Sequence, residues 1–149
     1  MTTIHVITRL NALVEKCFDA SRSIDLHLQS MAKTKERAVA GRTSGLCEVG
    51  DTITWEAVHF GIKQRMTVQI TKMDRPGFFE DRMTKGTFKS MRHEHFFEVR
   101  DGVTVMTDKF HYEVPFGIAG WLFDALILRS YMTRFLLMRN SVIKEVVEK

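Results

Sequence analysis

From Met31 to Pro115 hydrophobic and polar residues alternate with a period of two, in segments separated by tight-turn residues; beyond Pro115 the period lengthens to that of a helix. Ile4, Val6 and Thr8 alternate with His5 and Ile7, which predicts a short first strand before Asn11 opens a helical pattern. Leu13, Val14, Cys17 and Phe18 then recur at helical spacing, and a second helical piece, Ile24 to Met31, follows Asp19 and Ser21 as caps. Ala38 to Gly45 reads as a strand. Further strands are predicted over Thr52 to Phe60, Lys63 to Met73, Phe78 to Met83, Phe88 to Val99 and Val103 to Val114. They are bounded by Gly50-Asp51, Gly61, Arg75-Pro76-Gly77, Lys85-Gly86 and Asp101-Gly102, and connections this short make the sheet antiparallel.

Pro115 and Gly117 stop the last strand, and one amphipathic helix is predicted from Ile118 to Glu148. Tyr131, Met132, Phe135, Met138, Val142, Ile143 and Val146 share one face, opposite Thr133, Ser141, Lys144, Glu145 and Glu148. Over Trp121 to Leu128 apolar residues surround the helix, which predicts deep burial of its first turns, ahead of a dimer or membrane-contact patch. At about 1.5 Å per residue such a helix is roughly 45 Å long, enough to cross a concave sheet. The fold class is therefore α+β, a curved antiparallel sheet of six to seven strands wrapped around a long C-terminal helix, with two short helices after the first strand. Residues 1–149 form one domain, and its shape is that of a container.

A chain of 149 residues can bury roughly two thirds of the surface its unfolded form exposes. With 44% hydrophobic and 27% charged residues it lacks the bias of a disordered protein. The apolar stretch Phe116 to Met138 is interrupted by Asp124, Arg129 and Arg134 before about 18 apolar residues accumulate, so no stable membrane insertion is expected. The net charge is +4, but lysines and arginines are scattered among acidic residues, and no nucleic-acid partner is expected. Lys35, Arg37 and Arg42 read as a solvated strand face rather than a basic rim. Cys17 and Cys47 occupy unrelated contexts and are read as free thiols. Met1 to Leu10 does not have the pattern of a signal peptide, and the expected location is cytoplasmic.

The order of elements resembles the helix-grip fold of the START, birch-pollen-allergen and polyketide-cyclase superfamily (SRPBCC). The resemblance extends to the runs Gly50-Asp51-Thr52-Ile53-Thr54-Trp55-Glu56-Ala57, His59-Phe60-Gly61-Ile62, Asp74-Arg75-Pro76, Gly86-Thr87-Phe88, Arg92-His93-Glu94-His95-x-Phe97 and Tyr112-x-Val114-Pro115-x-Gly117. These are similar to a bacterial subgroup labelled cell-division-inhibitor-like or coenzyme-Q-binding-like. In that subgroup proline usually follows Gly86; here Thr87 does, a departure confined to a turn. The superfamily places lipid carriers, receptors and cyclases on one scaffold, so the resemblance implies a fold and a cavity before it implies an activity.

Residues two apart on a strand project to one side. Met91, His93, His95, Phe97 and Val99 form the more apolar face of their strand, so His93 and His95 are expected to point inward. The inward set of the next strand is Met106, Asp108, Phe110, Tyr112 and Val114, joined by Trp55, Ala57 and His59, by Gln64, Met66, Val68 and Ile70, and by Asp81 and Met83. Three readings compete for these histidines and carboxylates: a satisfied buried network, a polar anchor for an apolar ligand, and a metal site built on the His-x-His pair. No nucleophile signature surrounds either cysteine, Ser44 or Ser90.

The expected function is binding of a small hydrophobic ligand, a lipid, quinone or polyketide-like molecule, between sheet and helix. The ligand-binding set is His59, His93, His95, Asp108, Asp81, Gln64, Trp55, Met66, Phe110 and Tyr112, with no metal and no cofactor. Two alternatives remain: a cyclase or hydrolase using the histidines as general acid and base, and a non-catalytic interaction protein with a filled core. A homodimer is a further expectation.

Overall fold

A computed structural model describes residues 1–149. The chain runs β1 (Thr2–Leu10), α1 (Val14–Ser21), α2 (Ile24–Ser30), a 3-10 turn (Ala32–Thr34), β2 (Arg37–Gly41), β3 (Thr52–His59), β4 (Ile62–Asp74), β5 (Phe78–Lys85), β6 (Ser90–Arg100) and β7 (Val103–Glu113). A continuous C-terminal helix follows as α3 (Gly117–Phe123), a π-helical turn (Asp124–Leu128) and α4 (Arg129–Val147).

The seven strands form one antiparallel sheet in the order β1-β7-β6-β5-β4-β3-β2, so β1 and β2 occupy opposite edges and α1 and α2 carry the chain between them. Ser23 caps α2, its hydroxyl accepting from the Leu26 amide at 3.2 Å. Two hairpins turn on two residues each: Phe60 and Gly61 have φ of 53° and 74°, Asp101 and Gly102 of 51° and 80°. Positive φ at both central positions marks the type I′ turn, whose twist matches that of the flanking strands. Register shifts between β4 and β5, with Thr84 unpaired on β5 and Thr71 on β4, bend these strands and help curve the sheet.

The helix crosses the concave face. Its buried positions Leu136, Arg139, Asn140, Ile143 and Val147 follow the 3.6-residue period. Gly120 admits the Pro115 backbone: a Cβ there would lie 1.8 Å from the Pro115 carbonyl oxygen. Asp124 opens the π-helical turn, is buried, and accepts from the hydroxyls of Tyr112 and Thr2, tying the helix to β7 and β1.

Hydrophobic residues gather in two groups. One, with Leu10, Cys17, Phe18, Phe79, Phe97, Met106, Ile143 and Val147, fills the end beneath α1. The other, with Ile24, Ile53, Val68, Ile70, Met91, Phe110, Leu128 and Leu136, surrounds the middle of the concave face. Each fully buried side chain of this size contributes about 1.5–3 kcal/mol. Both cysteines are buried free thiols.

Three expectations are corrected. The first turns of the helix are not deeply buried: Trp121 is 64% and Leu126 75% exposed, because these turns have packing partners on one side only. Val99 does not face inward but is 61% exposed, since β6 and β7 continue past the core toward their hairpin. β2 ends at Gly41, and the segment up to Gly45 is loop. Of the three basic residues expected on a strand face only Arg37 lies in a strand; its exposed side chain pairs with the buried Glu56 at 2.6 Å, while Arg42, beyond the end of β2, pairs with Asp51 at 2.5 Å. No helix is long and apolar enough to cross a membrane.

Candidate functional site

Between the sheet and the helix lies a cavity of about 490 Å³, lined mainly by hydrophobic side chains. Strand alternation delivers Trp55, Ala57 and His59 from β3, Gln64, Met66, Val68 and Ile70 from β4, Asp81 from β5, Met91, His93 and His95 from β6 and Phe110 from β7. Tyr131, Met132, Phe135, Leu136 and Arg139 come from the helix. The opening is rimmed by Phe60, Phe116 and Phe123, all exposed, with the Phe60 ring 5.6 Å edge-on from Phe123.

The polar residues separate into two places. Near the opening His59 Nδ1 lies 2.6 Å from the Tyr131 hydroxyl, and Gln64 donates to the His59 carbonyl at 3.3 Å. Burial lowers the pKa of His59 and raises that of Tyr131, so the neutral forms pair. Trp55 packs against His27 with the rings tilted by 39° and centroids 4.3 Å apart.

The inner end holds a larger network. His93 Nε2 is 2.8 Å from Asp108 Oδ1 and His95 Nε2 is 2.8 Å from Asp81 Oδ2; the two imidazoles stack with centroids 3.7 Å apart. Asp108 also accepts from Arg139 at 3.3 Å and from Asn140 at 2.7 Å. Arg139 continues to the Asn140 side-chain oxygen at 2.9 Å and to the Ser21 hydroxyl at 2.7 Å, and Asn140 to the Thr8 hydroxyl at 3.1 Å. Phe79 stacks on His95 at 4.0 Å while Phe110 meets His93 edge-on at 5.2 Å, so the network occupies the seam between the two hydrophobic groups.

Burial alone would raise the Asp108 carboxyl; the imidazoles and the Arg139 charge outweigh it and hold the group well below its ordinary range. Asp81 is lowered in the same way, chiefly by His95 against the burial penalty. His93 is pushed down to about 4, first by burial and then by the neighbouring His95. Both carboxylates are therefore ionised and His93 is neutral at pH 7.

Asp81, His93 and His95 bring ligand atoms within 4.8 Å of one another, the one group of side chains in the fold with the composition of a metal site. Both Nε2 atoms are committed to carboxylates, and Arg139 places a cation on Asp108, so the arrangement present is a hydrogen-bonded network. One sealed atom, His95 Nδ1, has no hydrogen-bond partner and lies 3.4 Å from Asp108 Oδ1.

The structure thus gathers His93, His95, Asp81 and Asp108 at one end and His59 and Gln64 at the other, with Trp55, Met66 and Phe110 along the wall. Asp108 is fully buried behind the histidines and does not itself line the cavity. Tyr112 is also fully buried, turned away toward Asp124. Sequence reasoning missed Arg139, Asn140 and Ser21. The signal was present, because Arg139 and Asn140 fall on the helical stripe of Leu136, Ile143 and Val147.

No family model matches the sequence, and no curated protein matches it. Solved structures match along nearly the whole chain. The Thermus thermophilus protein TTHA0849 is 17% identical over 98% of this chain and 97% of its own, with a TM-score of 0.79. Major latex-like protein 151 from Panax ginseng is 12% identical over 99% and 98%, with a TM-score of 0.74. CV1439 from Chromobacterium violaceum is 13% identical over 100% and 99%, with a TM-score of 0.73. At these identities the likeness is one of fold, and that fold is the helix-grip fold of the major-latex-like and birch-pollen-allergen kind.

Proposed function

We propose that this protein is a cytoplasmic binder of a small, largely hydrophobic molecule, held between the sheet and the C-terminal helix. The observation that carries this reading is the cavity itself. Its volume of about 490 Å³ falls in the range of small-molecule sites, roughly 300–1,000 Å³, and far exceeds the voids of an ordinary close-packed core. A filled core, as an interaction protein would have, leaves no such space. The exposed phenylalanines at the opening continue the apolar lining outward, which suits entry of an apolar ligand.

Native mass spectrometry of the purified protein tests the reading. The expected result is an organic adduct on the 17.3 kDa chain that disappears on denaturation, or saturable binding of the neutral fluorophore N-phenyl-1-naphthylamine by the emptied protein. No adduct and no saturable binding would overturn it.

One observation favours the enzymatic alternative: His93 has Asp108 on one ring nitrogen and lines the cavity, the placement of a general base oriented by a carboxylate. That reading predicts that His93→Gln abolishes turnover of the identified ligand while leaving its binding within a few-fold. A homodimer would use the exposed apolar rim, and its mark is a solution mass of twice the chain.

A further inference from the structure

The network at the inner end of the cavity has its hydrogens pointed away from the ligand space. An ionised carboxylate only accepts hydrogen bonds, so the ring nitrogen facing it carries the hydrogen. His93 therefore donates from Nε2 to Asp108 and His95 from Nε2 to Asp81. With its hydrogen on Nε2, neutral His93 has a lone pair on Nδ1. His93 is about nine-tenths buried, yet its Nδ1 has no protein partner and is not sealed, so it opens on the cavity that His93 lines. Asp81 Oδ1 is in the same position: Oδ2 takes the His95 hydrogen, and Oδ1 has no partner and is not sealed. His95 Nδ1, the remaining ring nitrogen, is sealed.

The cations nearby are committed. Arg139 donates to Asp108, Asn140 and Ser21, and Arg22 to Asp19, the Cys47 carbonyl and Glu48. A ligand carboxylate at this end would sit beside Asp81, with Asp108 directly behind His93, and would find no uncommitted positive charge. A ligand ether or carbonyl would face two lone pairs.

We propose that the inner end of the cavity selects a hydroxyl-bearing ligand, a phenol, hydroquinol or apolar alcohol, whose O–H donates to His93 Nδ1 or Asp81 Oδ1. This rests on the cavity-binding reading and narrows it: carboxylic acids such as fatty acids are disfavoured by charge, and the oxidised quinone by its lack of a donor. Matching a donor to a buried acceptor discriminates strongly, because the analogue without it leaves the acceptor desolvated and unpaired.

The test uses three probes on one skeleton, 2-naphthol, 2-methoxynaphthalene and 2-naphthoate, each titrated calorimetrically into the protein at pH 7. The expected order is 2-naphthol tightest, 2-methoxynaphthalene weaker by about tenfold or more, and 2-naphthoate weakest. Asp81→Asn, which offers an N–H in place of an acceptor, should narrow the preference for 2-naphthol over its methyl ether. If that variant does not fold, the wild-type order alone decides. Equal binding of all three, or tightest binding of 2-naphthoate, overturns the donor selection and leaves the cavity reading standing. Binding of none of them, with N-phenyl-1-naphthylamine also excluded, overturns both.

Discussion

Replacing Arg139 by methionine removes the guanidinium that balances Asp108 while keeping much of the side-chain length. Asp108 would retain the His93 Nε2–H at 2.8 Å and the Asn140 amide at 2.7 Å, but its only fixed positive partner would be gone, and Ser21 and Asn140 would each lose a donor. Asp108 is fully buried, so water cannot replace the lost charge. Breaking a buried ion pair from one side costs about 3–5 kcal/mol. For a chain near 150 residues this is about 6–20 °C in melting temperature. The deficit also has a pH signature. A carboxyl held below its unfolded pKa of 3.8 contributes stability that is present above that value and lost as pH falls through the folded one. Arg139→Met raises the folded pKa of Asp108, so its deficit is full at pH 7 and narrows as pH falls toward and below about 4. Urea denaturation of both proteins at pH 7 and at pH 4 measures it. A deficit under about 1 kcal/mol at pH 7, or one that widens on acidification, would refute the assignment of Arg139 as the counter-charge of Asp108.

Wild-type stability should fall between pH 6.5 and about 4, because the unfolded chain protonates His93 at its ordinary value of 6.5 and the folded chain only near 4. The full loss from this group is about 3 kcal/mol. His59, lowered by burial, adds in the same direction, so His93→Gln should reduce the slope in urea titrations without abolishing it; an unchanged slope sinks the account. Gly120→Ala should destabilise by about 1–3 kcal/mol, since the new Cβ meets the Pro115 backbone at 1.8 Å and a backbone atom cannot rotate away. A melting temperature equal to wild type would show that the helix start can shift at no cost.

Much of the sheet and half of the site were legible because strand alternation is a hard constraint. Once His93 and Phe97 share a face with Met91, both histidines must point inward, and the structure buries them. Their partners lie on neighbouring strands: the register sets Asp108 opposite His95 and Asp81 opposite His93, and each histidine bonds the other carboxylate, one step along the same face, His93 to Asp108 and His95 to Asp81. The helix was less legible for two opposite reasons. The spacing of Arg139 and Asn140 from Leu136 and Ile143 puts them on the buried stripe, but their polar side chains, of a kind ordinarily found in water, hide that placement. Trp121 and Leu126 read as interior by their chemistry yet are exposed, because periodicity registers apolar area but not the presence of something to cover it. Asp124, read only as an interruption of a hydrophobic stretch, closes the buried bond from Tyr112, a partnership between helix and strand that no local pattern encodes.

The network at the inner end is a poor device for stability alone. Two carboxylates and an arginine taken out of water contribute little or nothing net compared with apolar residues of the same volume, since desolvation offsets their attraction. A network serving only the fold would also close on itself. Here the parts facing the protein are closely bonded: Asp108 receives donors from β6 and from two helix positions, and Arg139 reaches α1. The parts facing the cavity, His93 Nδ1 and Asp81 Oδ1, have no protein partner. Rigid bonding on one side fixes the two open acceptors against the wall of an apolar space, where an unpaired acceptor costs most and a ligand donor gains most. The stability forgone at the seam between the two hydrophobic groups is thus concentrated at the place where it can be recovered on binding, and the same geometry that makes Arg139→Met costly holds those acceptors in position.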